Sequence, residues 1–204
     1  MNKRVVLAGV LGAVAIFLWT FLAHMALPLG EAGVRQIDNE QPLLSAMQST
    51  LSEHGIYLFP RMAPGMDQQQ YGQKIASGPS GMLIYFPKRD FSFGSALAIE
   101  FLTELLQTLV AVWLLSLTRI GTFGGRVGFF ALVGLIAAVA TNASYANWYG
   151  YPLLYTSSYM LTTWVGYLCA GLVAAAMKVG ADVNASPAPA PTQSRPATAA
   201  AGSH

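Results

Sequence analysis

Residues 127–177 read VGFFALVGLIAAVATNASYANWYGYPLLYTSSYMLTTWVGYLCAGLVAAAM and contain no Asp, Glu, Lys or Arg. At a helical rise of ~1.5 Å per residue the stretch is too long for one crossing of a roughly 30 Å hydrocarbon layer. It is broken by Asn147-Trp148-Tyr149-Gly150-Tyr151-Pro152, where Gly and Pro favour a turn and the aromatic rings suit a membrane interface. The stretch therefore reads as two helices, 127–148 and 153–177, joined as a hairpin.

Two more runs, 5–27 and 95–117, are long and apolar enough to span a bilayer. Across the 204 residues 54% are hydrophobic and only 10% charged, against about 25% charged in an ordinary soluble domain. The fold class that follows is an all-α integral membrane protein, a four-transmembrane-helix bundle with a small external α+β cap between helices 1 and 2. Its divisions are 1–27 (N-terminal end and first helix), 28–94 (cap), 95–179 (helices 2 to 4) and 180–204 (an Ala/Pro-rich tail). On architecture alone it resembles small four-helix proteins of bacterial inner membranes.

The first run follows the basic Asn2-Lys3-Arg4, as a signal peptide would. A secretory apolar region is only about 7–15 residues long and ends in a small-x-small cleavage site. This run continues through Trp19 and Phe21 to His24-Met25-Ala26, which favours an uncleaved helix. Lys3, Arg4, Arg119, Arg126 and Lys178 flank the helices on one side, which places both termini in the cytoplasm by the positive-inside rule. Lys88 and Arg89, near the start of the second helix, work against that bias. The expected location is thus a bacterial inner membrane, crossed several times. A net charge of +2 without a basic stripe implies no nucleic-acid partner. Cys169 is the single cysteine, so no intrachain disulfide or cysteine-based metal site can form.

The 28–94 connection is far longer than the usual ~4–6 residues and should fold or bind something. Residues 42–53 predict a short amphipathic helix carrying Leu43, Leu44, Met47 and Leu51, with Pro42 in its first turn and Gly55 as its stop. Two apolar pieces, 55–60 and 81–87, can pair as a two-stranded ribbon. Such a ribbon is marginal alone, so it should lie on the membrane surface or over the helix ends, anchored by Tyr57, Phe59, Tyr85 and Phe86. The tail 180–204, rich in Ala, Pro, Ser and Thr, cannot build a core and should be disordered.

Within this apolar frame, Glu100 and Glu104 stand one helical turn apart in the second helix. An ionisable group at the bilayer centre costs at least ~2.5 kcal/mol, so such groups face a bundle interior or a wet cavity. Counting ~1.5 Å per residue from the external ends puts His24, Glu100, Glu104 and Asn142 within roughly 6–13 Å of that boundary. Thr156, Ser157, Ser158 and Tyr159 share the outer third of the fourth helix, with Thr162 and Thr163 near the midplane. The inner halves are apolar apart from Tyr167 and Cys169. The expectation is a polar cup open to the outside over a dry floor. Its candidate ligand-binding residues are His24, Glu100, Glu104, Gln107, Asn142, Tyr145 and Tyr159. Residues three and four apart share a helix face, so Glu100, Glu104, Gln107 and Thr108 form one stripe, expected to meet His24 and Asn142. The alternative is structural: a carboxylic acid can stay protonated and simply hydrogen-bond between helices.

His24 with two carboxylates resembles a metal ligand set, but no second intramembrane histidine or Glu-x-x-His spacing accompanies it, and neither a metal nor a cofactor is expected. Gly121, Gly124, Gly125 and Gly128 lack the Lys and Ser/Thr of a phosphate loop and read as a flexible turn. Small residues at Ala8, Gly9, Gly12, Ala13, Gly166, Ala170 and Ala174 permit close helix contact, within the chain, with a membrane-protein partner or in a homo-oligomer.

No catalytic motif is present, and catalytic residues are not assignable. The sequence therefore puts first a non-enzymatic accessory or assembly subunit, embedded in the lipid bilayer and binding a partner through its cap and helix faces. The second reading is binding or transformation of a small apolar molecule, quinone- or lipid-like, in the cup around Glu100 and Glu104. The third, ion or proton translocation, meets an obstacle in the dry inner half.

Overall fold

The computed structural model describes residues 2–180; all but the first residue of the expected disordered tail lies outside them. Four helices are long and apolar enough to cross a membrane: α1 (Lys3–Met25), α4 (Phe93–Ser116), α5 (Phe123–Tyr149) and α6 (Leu153–Ala176). Between α1 and α4 come α2 (Gln41–Thr50), β1 (Gly55–Phe59), α3 (Gln68–Ala76) and β2 (Gly81–Tyr85).

Local chemistry sets the helix ends. The Asn2 side chain accepts from Arg4 N at the start of α1, and the Ser92 hydroxyl accepts from Ser95 N at the start of α4. Thr122 caps α5 by accepting from Gly125 N. That cap draws Gly124, Gly125 and Gly128 into α5, so the expected flexible turn is confined to the residues before Phe123. At the other end of α5, Gly150 takes a left-handed conformation (φ 70°), which glycine adopts without a Cβ clash. Pro152 then precedes α6.

The helices pack in the order α4, α1, α6, α5, and α4 barely meets α5 or α6. Small residues dictate this order, because they let these apolar helices approach closely, backbone to backbone. On α1, a Cβ added to Gly9 would stand 2.5 Å from Leu109 Cδ2 of α4, and one on Gly12 would stand 2.6 Å from Thr108 Cγ2 of α4 and 3.4 Å from Ala170 Cβ of α6. The α5–α6 hairpin uses two reciprocal seats: Gly134 receives Tyr167, and Gly171 receives Phe130. Trp164 Nε1 also donates across this seam to Ala131 O (3.1 Å).

The outward faces of these helices are apolar. Leu102, Leu106, Leu132 and Ile136 are all at least 59% exposed, more apolar perimeter than a water-soluble monomer leaves uncovered. Arg126 lies at the same helix ends as Lys178, as expected of a flanking charge, but is buried with its Nε donating to Val179 O just past α6. A cation suits that position, where the last carbonyls of a helix carry partial negative charge.

In the cap, β1 and β2 pair antiparallel with Ile56 opposite Ile84 and Leu58 opposite Met82. Tyr57, Leu83 and Tyr85 share the other face. Tyr85 is buried and packs edge-on to Tyr57 (6.3 Å between centroids), and Phe86 stacks on His54 (4.1 Å) with Arg89 above it. Of the four aromatic residues expected as anchors, Tyr85 is buried within the cap, whereas Phe59 and Phe86 are exposed (44% and 37%). The aliphatic face is the more uncovered one: Ile56, Leu58 and Ile84 are 66%, 56% and 55% exposed. Helix α3, polar and unforeseen from periodicity, is held by a capping box between Asp67 and Gln70. Tyr71 and Lys74 tie it to the carbonyls of Pro60 and Arg61.

Candidate functional site

Because α4 leans on α1 alone in the half of the bundle that adjoins the cap, a gap opens between α4 and α6. The gap is a cavity of about 430 Å³, within the size range of small-molecule sites. Helix α1 forms its back wall with Ile16, Phe17, Thr20, Phe21, His24 and Met25. Helix α4 contributes Phe93, Leu97, Glu100, Glu104 and Gln107, and α6 contributes Tyr159, Thr162, Thr163 and Tyr167. Helix α5 contributes nothing.

Glu104 sits deepest of the two carboxylates and is only 4% exposed. Its Oε1 accepts a hydrogen bond from Thr20 Oγ1 at 3.0 Å. Its Oε2 is buried and has no hydrogen-bond partner. Leaving a buried polar atom unsatisfied costs ~1–3 kcal/mol, and native interiors rarely tolerate it. Glu100, one turn nearer the cap, is exposed at the mouth.

Several neighbouring donors are committed elsewhere. Thr108 Oγ1 returns to Glu104 O (2.7 Å), Thr162 Oγ1 to Ser158 O (2.9 Å), and Trp19 Nε1 reaches Thr162 O (2.8 Å), fastening α1 to α6. Tyr167 Oη donates to Gln107 Oε1 at 2.9 Å, closing the floor where α4 and α6 converge. Beyond this bond Val112, Leu115, Phe130 and Ala170 fill the bundle with no exposed surface. His24 Nδ1 must donate in its 2.8 Å contact with Thr20 O, since a carbonyl only accepts.

Residues just after α1 pack over the top of these walls. A Cβ on Gly30 would overlap the His24 ring, and one on Gly33 would stand 2.8 Å from Tyr155 N. Gly33 also has φ +79°, so its seat requires glycine on both counts. His24 packs edge-on to Tyr159 (6.1 Å), which begins a run of ring contacts through Tyr155 and Tyr151 to Tyr145.

Five of the seven residues singled out from the sequence, His24, Glu100, Glu104, Gln107 and Tyr159, line this one cavity. Asn142 and Tyr145 do not. Helix α5 packs behind α6, and there the Asn142 amide turns back to donate to Ala138 O of its own helix (2.9 Å). Tyr145 packs among Tyr149 and Tyr151 at the hairpin turn. Thr20 and Tyr167, absent from the expected set, make the two hydrogen bonds that shape the site. Thr20 was accessible in principle, lying one turn before His24 on the same face of α1. Among the described residues no group of three or more His, Cys, Asp or Glu side chains is arranged to hold a metal ion. Comparison with protein-family models, with characterised proteins and with solved structures finds no match to this chain.

Proposed function

We propose that this protein binds a small amphiphilic molecule in the cavity between α1, α4 and α6, holding its polar atom against Glu104 and its apolar body along Phe17, Phe21 and Leu97. The observation that carries the reading is Glu104, a residue that lines a preformed cavity and whose buried Oε2 has no donor. A purely structural carboxyl gains nothing from an unpaired oxygen, whereas a ligand hydroxyl or ammonium would satisfy it. Mostly apolar walls with a few convergent polar groups are what amphiphile sites require. Directly beyond Tyr167 the apolar Val112, Leu115, Phe130 and Ala170 are fully buried, which disfavours translocation. We place the protein in a bacterial inner membrane with the cap outside, on the flanking-charge argument, so the molecule would enter from the outer leaflet or the external water.

Native mass spectrometry of the protein released from mild detergent tests this. The expected spectrum shows a stoichiometric small-molecule adduct that falls at least tenfold in occupancy in Glu104→Gln. A bare mass under conditions that preserve bound lipid would contradict the reading.

A second reading, accessory or assembly partnership through the cap, is favoured by one specific observation: the uncovered aliphatic face of Ile56, Leu58 and Ile84 on the ribbon. A protein partner there would give one defined adduct when a photocrosslinker replaces Leu58 in native membranes, and Ile84→Asp would abolish it. Absence of any protein adduct would exclude this role for the ribbon.

A further inference from the structure

The balance of donors and acceptors on the cavity wall says more about the occupant than its volume does. Two carboxylates, Glu100 and Glu104, line the cavity, and no Lys or Arg does. Glu104 Oε2 is unpartnered in a residue 96% removed from solvent, given its 4% exposure. The Thr20, Thr162 and Tyr167 hydroxyls have already spent their protons on Glu104 Oε1, Ser158 O and Gln107 Oε1. The Gln107 amide and the Thr163 hydroxyl remain as neutral donors, so the charged groups on the wall are the two carboxylates, and the walls beside them are aromatic: Phe17, Phe21, Phe93 and Tyr159.

From this we infer that the cavity selects amphiphilic cations, molecules with a protonated amine on an apolar body, over neutral or anionic amphiphiles of the same size. The inference rests on the binding reading above and narrows it to a ligand class. An ammonium supplies up to three donors, so one nitrogen can satisfy Glu104 Oε2 and still reach a second acceptor. A charge-assisted bond to a carboxylate is roughly twice as strong as a neutral one, and the ring faces add cation–π attraction. A carboxylate ligand brings like charge to two acids and supplies no donor.

The test uses the full chain in nanodiscs of neutral phospholipid and three radiolabelled twelve-carbon probes: dodecylamine, dodecanol and dodecanoate. Saturable dodecylamine binding at least tenfold tighter than dodecanol, with no saturable dodecanoate binding, is the expected result. Glu104→Gln should bring the amine down to the level of the alcohol. Should that variant fail to fold, Glu100→Gln, at the exposed mouth, should still reduce the amine-to-alcohol ratio several-fold. Equal binding of amine and alcohol in the wild-type protein would overturn the cation preference while leaving an amphiphile site in place. Failure of all three probes to bind saturably would overturn both.

Discussion

Gly134→Leu should lower the melting temperature of the detergent-solubilised protein by roughly 6–12 °C, the shift that ~3 kcal/mol produces in a chain of this size. The reason is geometric. Even a Cβ at Gly134 would stand 2.6 Å from Tyr167 Cβ and 3.4 Å from Trp164 O. The crowded atom belongs to the root of the tyrosine side chain, so no rotamer change relieves it and α5 must move away from α6. Overpacking of this kind costs ~1–3 kcal/mol where a core can adjust, and more where backbone must shift. Gly171→Leu should act alike, since its Cβ would meet Phe130 Cβ at 2.7 Å and lies 3.5 Å from Val127 Cα. Displacing Tyr167 should also break its bond to Gln107 and loosen the cavity floor. Gly128 is the internal control: it lies in α5, and a Cβ added there would meet nothing within 4 Å, so Gly128→Ala should be neutral or gain up to ~1 kcal/mol from helix propensity. A melting curve for Gly134→Leu that overlays the wild type would contradict the proposed packing of the hairpin.

These seats also mark where the sequence stops being readable. Four apolar runs and a charge-free hairpin were plain from hydropathy, because a bilayer imposes length and composition on any helix that crosses it. The ribbon was legible from two apolar pieces closed by proline. Helix α3 was not, since its nine residues are polar and half its signal is the Asp67/Gln70 capping box. Among the small residues, Ala8, Gly9, Gly12, Ala13, Gly166, Ala170 and Ala174 stood out and are all buried. Gly134 and Gly171 did not stand out, because only the facing Tyr167 or Phe130 shows what each is for.

The candidate site divides along the same line. Counting residues from a helix end gives the height of a polar group, which is why Glu104 and Asn142 looked like partners. Height says nothing about direction around the bundle axis. That angle is set by which helix faces are smooth enough to touch, and the glycine seats place α1 and α6 together and push α5 behind. Asn142 is consequently at a suitable depth on the wrong side of α6, whereas Thr20 of α1 meets Glu104 directly.

The exchange Glu104→Leu, read out simultaneously as thermal stability and as saturable uptake of dodecylamine and dodecanol, tests the central claim that Glu104 belongs to a binding site and not to structural glue. Leucine removes one hydrogen bond from Thr20, worth ~1 kcal/mol. It also removes a buried carboxyl with an unsatisfied oxygen, and replacing such a group by a packed apolar side chain is often neutral or stabilising. Thr20 has a local substitute acceptor in the carbonyl one turn before it, as hydroxyls in helices commonly use. The expected result is a melting temperature at or above that of the wild type together with at least a tenfold loss of probe binding. A melting temperature several degrees lower, with probe binding unchanged, would contradict the claim.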